Sequence, residues 1–228
     1  MNAPSPVSRS PAWVTLGIVA IITLACFNMA FVLRDGLAIG TPFITRALFL
    51  SEHTALWQLG WLNWMLAALG LLLFCVYLLD YLPRTPLRRF AILLVAIGIG
   101  PDIIAEVLFA FVLPPLLQVD QAAALFLTLE QIAMQLTGTV GNGFYNLGGL
   151  LLNLLLFANA RIPRLLILAG LPAWLFGLAL SVATALQAGL AATLLTGVAM
   201  VLSLGWILAV ALTLFMHPAK YRWSTAHA

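Results

Sequence analysis

Long apolar runs, not alternation, set the pattern of this chain. Trp13 to Val32, Leu56 to Tyr81, Phe90 to Leu117, Leu165 to Leu186 and Leu190 to Phe215 each reach the roughly 20 residues that carry a helix across a bilayer. Turn chemistry separates them. Asp35-Gly36, Thr41-Pro42, Pro83 with Pro86, Pro114-Pro115 and His217-Pro218 interrupt the runs with residues that favour turns or end helices.

The region from Ala122 to Ala160 fits one crossing poorly. As a helix of about forty residues it would reach about 60 Å against a core of about 30 Å. It makes either two spans or one span with an extension. Thr128, Gln131, Gln135, Gly138, Asn142, Asn146, Gly149 and Asn153 recur through it at steps of three and four, a single polar stripe along a helix. Charge then decides the count. With one crossing, Arg9, Arg84, Arg88, Arg89, Arg161, Arg164, Lys220 and Arg222 share a side, and only Arg34 and Arg46 lie opposite. A second crossing would move the last four and spoil the asymmetry that sets membrane orientation.

The expected fold is therefore all-α, a polytopic transmembrane helical bundle of six spans with both termini cytoplasmic. The spans are expected at 12–33, 56–81, 90–117, 139–160, 165–186 and 190–215, making one domain over 12–216. A short flexible tail (1–11) precedes it and a second tail (217–228) follows. An amphipathic outer segment, Gln121 to Leu136, leads into the fourth span or extends it.

Composition agrees. The chain is 64% hydrophobic and 7% charged, whereas soluble domains run near 45–50% and 25%. Its main partner is the lipid bilayer, and the expected location is a bacterial inner (plasma) membrane. The net charge of +3 sits in the loops and forms no continuous basic face, which excludes a nucleic-acid partner. The first run exceeds the ~7–15 residues of a signal segment and reads as a retained helix. Cys26 and Cys75 fall in different spans at different depths, beyond the ~7 Å reach of a disulfide.

Local features fill in the loops and ends. Ser51 and Glu52 suggest a cap and first-turn acid opening the second span. Trp57, Trp61 and Trp64 share a helix face, and Tyr77 and Tyr81 lie at the far end. The pattern suits two interfacial belts, or a wall for stacking a ligand.

The chemically unusual stretch is Gly98-Ile99-Gly100-Pro101-Asp102-Ile103-Ile104-Ala105-Glu106. It puts two carboxylates at i and i+4, on one helix face, near the middle of the third span. Each costs roughly 2.5–3.5 kcal/mol if charged and lipid-facing there. Both must face the bundle interior, be protonated, or be paired. Pro101 lacks an N–H, so with Gly100 beside it a helix break is expected. The antiparallel fourth span should set Asn142, Tyr145 and Asn146 opposite Asp102 and Glu106. No lysine or arginine lies within a span, which leaves protons, a bound cation or neutral hydrogen bonds as partners for the acids.

Glu130 and His53 are weak candidates for a metal site with Glu106, at spacings that match no metal signature. There is no Gly-x-Ser-x-Gly, no His-Glu-x-x-His and no phosphate loop, so no cofactor is expected.

In layout, the chain resembles bacterial six-pass integral membrane proteins of uncharacterised function. The residues that carry this are Arg34-Asp35-Gly36, Trp57-x-x-Gly60-Trp61-x-x-Trp64, Pro101-Asp102-x-x-x-Glu106 and Asn142-Gly143-x-Tyr145-Asn146. The resemblance covers most of the chain and implies no activity. Three readings follow from the residues: transport or binding of a small ligand, proton or cation at the midplane acids; a structural or accessory membrane subunit in which the same groups only fix packing; and, third, a metal-dependent membrane enzyme.

Overall fold

Six helices are long and apolar enough to cross a bilayer: Ser10–Val32, Thr54–Tyr81, Pro86–Leu116, Ala123–Ala158, Arg164–Ala185 and Gly189–Phe215. The structure, a computed structural model, describes residues 10–37, 41–119 and 122–223. The expected first tail lies outside the described residues except for Ser10 and Pro11, as does Gln121, whereas 217–223 of the second tail are described and include a short helix, Pro218–Tyr221; among the described residues there is no strand.

Each span packs on its neighbours in the chain, and the sixth packs back on the first. The result is a closed ring of six antiparallel helices. From the second span on, the connections are short and favour docking each helix beside its predecessor.

The fourth span is a single helix from Ala123 to Ala158, so the expected outer segment extends it. It is also the least hydrophobic of the six. Its middle, Gln135–Gly141, is π-helical. Thr and Gly dominate this stretch, and both are poor α-formers. Further π-helical turns occur at Asn28–Val32, Leu108–Val112 and Ala211–Phe215.

The end that carries most of the arginines is tied together by polar bonds. The Asn159 amide donates to the carbonyls of Tyr81 (3.1 Å) and Tyr221 (2.9 Å), Arg222 pairs with Asp80, and Arg88 donates to the Leu79 carbonyl at 3.1 Å. Ala12 and Tyr221 belong to one core cluster, and the first span packs on the last turn of the sixth, Ala211–Phe215. Cys26 and Cys75 are both free thiols.

Three local expectations need correction. Pro101 does not break the third span, whose α-helix runs from Pro86 to Val107. Part of proline's cost in a helix is a clash with the Cβ of the preceding residue, which Gly100 lacks, although the hydrogen bond to the Ile97 carbonyl is still lost. The helix loosens one turn later, at Leu108–Val112.

Ser51 and Glu52 do not open the second span. They are the last residues of a separate short helix, Phe43–Glu52, and the Ser51 hydroxyl donates back to Leu48.

The tryptophans of the second span do not form a belt. Trp57 and Trp61 are buried. The Trp57 indole donates to the Phe109 carbonyl at 2.7 Å, and Trp61 stacks on the Phe109 ring at 4.4 Å and 7°. Phe109 belongs to the π-helical turn, whose altered bonding makes its carbonyl available to an indole donor.

Candidate functional site

The two acids sit where the third span meets the fourth. Here the backbones come very close. A Cβ on Gly98 would lie 2.6 Å from both the Gly141 carbonyl oxygen and the Tyr145 nitrogen, and one on Gly148 would lie 2.6 Å from the Ala91 carbonyl oxygen. Thr137, Gly141, Tyr145 and Gly148 form the fourth-span face of this contact. Asp102 is 3% exposed, and Thr137 donates its hydroxyl to Asp102 Oδ1. Asp102 Oδ2 has no partner among the described residues. Glu106 is fully buried, and neither of its carboxyl oxygens has a hydrogen-bond partner.

The asparagine stripe was expected to face these acids. It faces the fifth span instead. Asn142 Nδ2 donates to the Gly177 carbonyl (2.7 Å) and the Ser181 hydroxyl (2.8 Å). Asn146 Nδ2 donates to the backbone and side-chain oxygens of Asn142, at 2.7 and 2.8 Å. Farther along, Asn153 Nδ2 donates to the Ile167 carbonyl at 2.9 Å, and Gln135 Nε2 donates to the Thr184 carbonyl at 3.3 Å. Glycines of the fifth span admit these amides. A Cβ on Gly177 would sit 2.1 Å from Asn146 Oδ1.

The fourth span thus carries two stripes. Thr137, Gly141 and Gly148 meet the third span, and the asparagines, together with Gly138, Gly143 and Gly149, meet the fifth. A helix in the middle of a ring has two partners, and the spacing of its polar residues does not say which partner they face.

The two stripes nevertheless converge on one space. A cavity of about 80 Å³ lies at the centre of the ring, and residues from all six spans line it. Ile22 comes from the first span, Trp64 from the second, Asp102 from the third, Asn142, Tyr145 and Asn146 from the fourth, Trp174 from the fifth and Ser203 from the sixth. A single water needs about 10–15 Å³ measured this way, so there is room for several waters or one small ligand. Of the five residues expected at a binding site, Asp102, Asn142, Tyr145 and Asn146 line this cavity, while Glu106 lies outside its lining.

Sequence reasoning missed Thr137, Ser203 and Trp174. Thr137 lies off the α-helical stripe. The i→i+5 bonding of Gln135–Gly141 shifts the phase of the helix and brings Thr137 onto the Asp102 face. Trp174 stands two residues after Pro172 in an apolar run whose spacing marks no face.

Glu130 and His53 part company. Glu130 is buried and ion-paired with Arg46 of the short outer helix Phe43–Glu52. His53 packs its ring against Phe49 at 5.0 Å. Among the described residues no three His, Cys, Asp or Glu side chains are grouped to hold a metal ion.

No protein-family model, curated protein or solved structure matches the chain.

Proposed function

We propose that this multi-pass membrane protein binds, and passes across the bilayer, a small ligand, proton or cation, with Asp102 as the polar contact in a central cavity. The observation that carries the reading is the cavity itself. It lies where all six spans meet, and its wall includes a nearly fully buried carboxylate with one oxygen unpartnered. Ionisable groups inside a membrane protein are costly, and they commonly mark substrate or ion pathways. Glu106, one turn from Asp102, is the second acid of the path. Positive-inside logic sets the arginine-rich end, with both termini, in the cytoplasm of a bacterial inner membrane.

Reconstitution into liposomes tests this. Proton and alkali-cation flux is measured for the wild type, Asp102→Asn and Glu106→Gln. The expected result is flux in the wild type that Asp102→Asn abolishes. Equal flux in all three, or none in the wild type, overturns the reading.

A second reading is a structural or accessory membrane subunit. The amide hydrogen bonds of Asn142 and Asn153 to the fifth span favour it, because they serve helix packing without any ligand.

A further inference from the structure

We propose that the ligand of the central cavity is a small organic ammonium ion of about three or four heavy atoms, such as a protonated alkylamine. This rests on the reading above and narrows it to one chemical class.

Three observations point there. First, the wall offers free acceptors, beside one free donor in the Trp174 indole. Asp102 Oδ2 has no partner, and Asn146 Oδ1 accepts no hydrogen bond among the described residues. The orientation of the Asn146 amide is fixed, because its Nδ2 donates to a backbone carbonyl. Tyr145 and Ser203 add hydroxyls that make no hydrogen bond among the described residues. An ammonium group supplies several N–H donors and the countercharge that Asp102 lacks.

Second, the rest of the wall is apolar and partly aromatic, with Ile99, Leu180, Ile207, Trp64 and Trp174. A bare Ca2+ or Mg2+ ion takes about six or more oxygen ligands, more than the Asp102, Tyr145, Asn146 and Ser203 oxygens of this wall supply. An alkyl chain gains from the aliphatic residues, and aromatic rings are favourable neighbours for a weakly hydrated cation.

Third, size sets the limit. At about 80 Å³ the cavity is roughly half the ~150 Å³ of an apolar cavity that holds benzene.

The test uses purified full-length protein in detergent or nanodiscs, with ethylammonium chloride as the probe. Ethanol serves as the neutral analogue, acetate as the anion and tetraethylammonium as the oversized cation. Thermal stability and tryptophan fluorescence report binding. Ethylammonium is expected to give a saturable shift that the other three do not. Asp102→Asn should weaken the apparent affinity at least tenfold. Ala199→Leu, which leaves Asp102 in place and fills the cavity, should abolish the shift. Ethanol or acetate binding as tightly as ethylammonium overturns the proposal, as does unchanged binding by Asp102→Asn or by Ala199→Leu. Asp102-dependent flux of protons or alkali cations, without ethylammonium binding, overturns the ammonium assignment and leaves the cavity reading standing. The absence of both sinks the two together.

Discussion

Thr137 donates its hydroxyl to Asp102 across a close backbone contact between the third and fourth spans. It is the one protein hydrogen bond that Asp102 receives among the described residues. Thr137 reaches it because it stands in the π-helical middle of the fourth span. A local irregularity of one helix thereby supports the acid of its neighbour.

Thr137→Val keeps the shape and removes the donor. It should destabilise the protein by about 1–3 kcal/mol, the cost of leaving a buried acceptor unsatisfied. Combined with Asp102→Asn, the two changes should be non-additive by about 0.5–3 kcal/mol. Unfolding of the single and double variants in detergent gives the coupling, and simple additivity would mean that the bond contributes nothing.

Glu106 contributes polarity with no hydrogen bond to justify it. Glu106→Met, of similar volume, should raise stability, because it removes a buried polar group whose desolvation costs about 1–3 kcal/mol. The same change should lower flux if the group works in transport. A Glu106→Met protein less stable than wild type would show that an unseen partner holds the carboxyl group.

Arg46 and Glu130 form a buried ion pair between the short outer helix and the fourth span. Removing either partner alone strands a charge, at a cost of about 3–5 kcal/mol. Arg46→Met with Glu130→Leu should therefore be more stable than either single variant. Thermal unfolding of the three proteins checks the order.

Gly98 faces backbone of the fourth span, and a Cβ there has no room. Gly98→Ala should separate the third and fourth spans and cost about 1–3 kcal/mol. Gly197→Ala, where nothing lies within 4 Å of the new atom, should be neutral or stabilising by up to about 1 kcal/mol through helix propensity. Parallel melting curves separate the two cases. Equal effects would rule out close packing as the role of Gly98.

Much of the fold was legible from residues alone. Apolar run length located five spans, and the placement of arginines resolved the ambiguous Ala122–Ala160 region into one. That Asp102 and Glu106 would be buried inside the bundle followed from the cost of a lipid-facing acid. Errors arose where a second helix decided the outcome. Trp57 and Trp61 looked like interfacial anchors, but Phe109 of the third span gives one a carbonyl and the other a ring. Pro101 looked like a break, and the glycine before it let the helix continue. Glu130 looked like a metal candidate until a loop arginine, distant in sequence, turned inward to pair with it.

By itself, the sequence determined that this chain is a six-span bundle with two acids in its third helix. Hydropathy and charge act locally, and each helix satisfies its own backbone in lipid. Only the tertiary structure decided what those acids touch. Closing the ring turned the asparagines toward the fifth span and Gly141 and Gly148 toward the third, and left a cavity that all six helices share. Those outcomes depend on which faces meet, and side-chain period fixes a face without naming its neighbour.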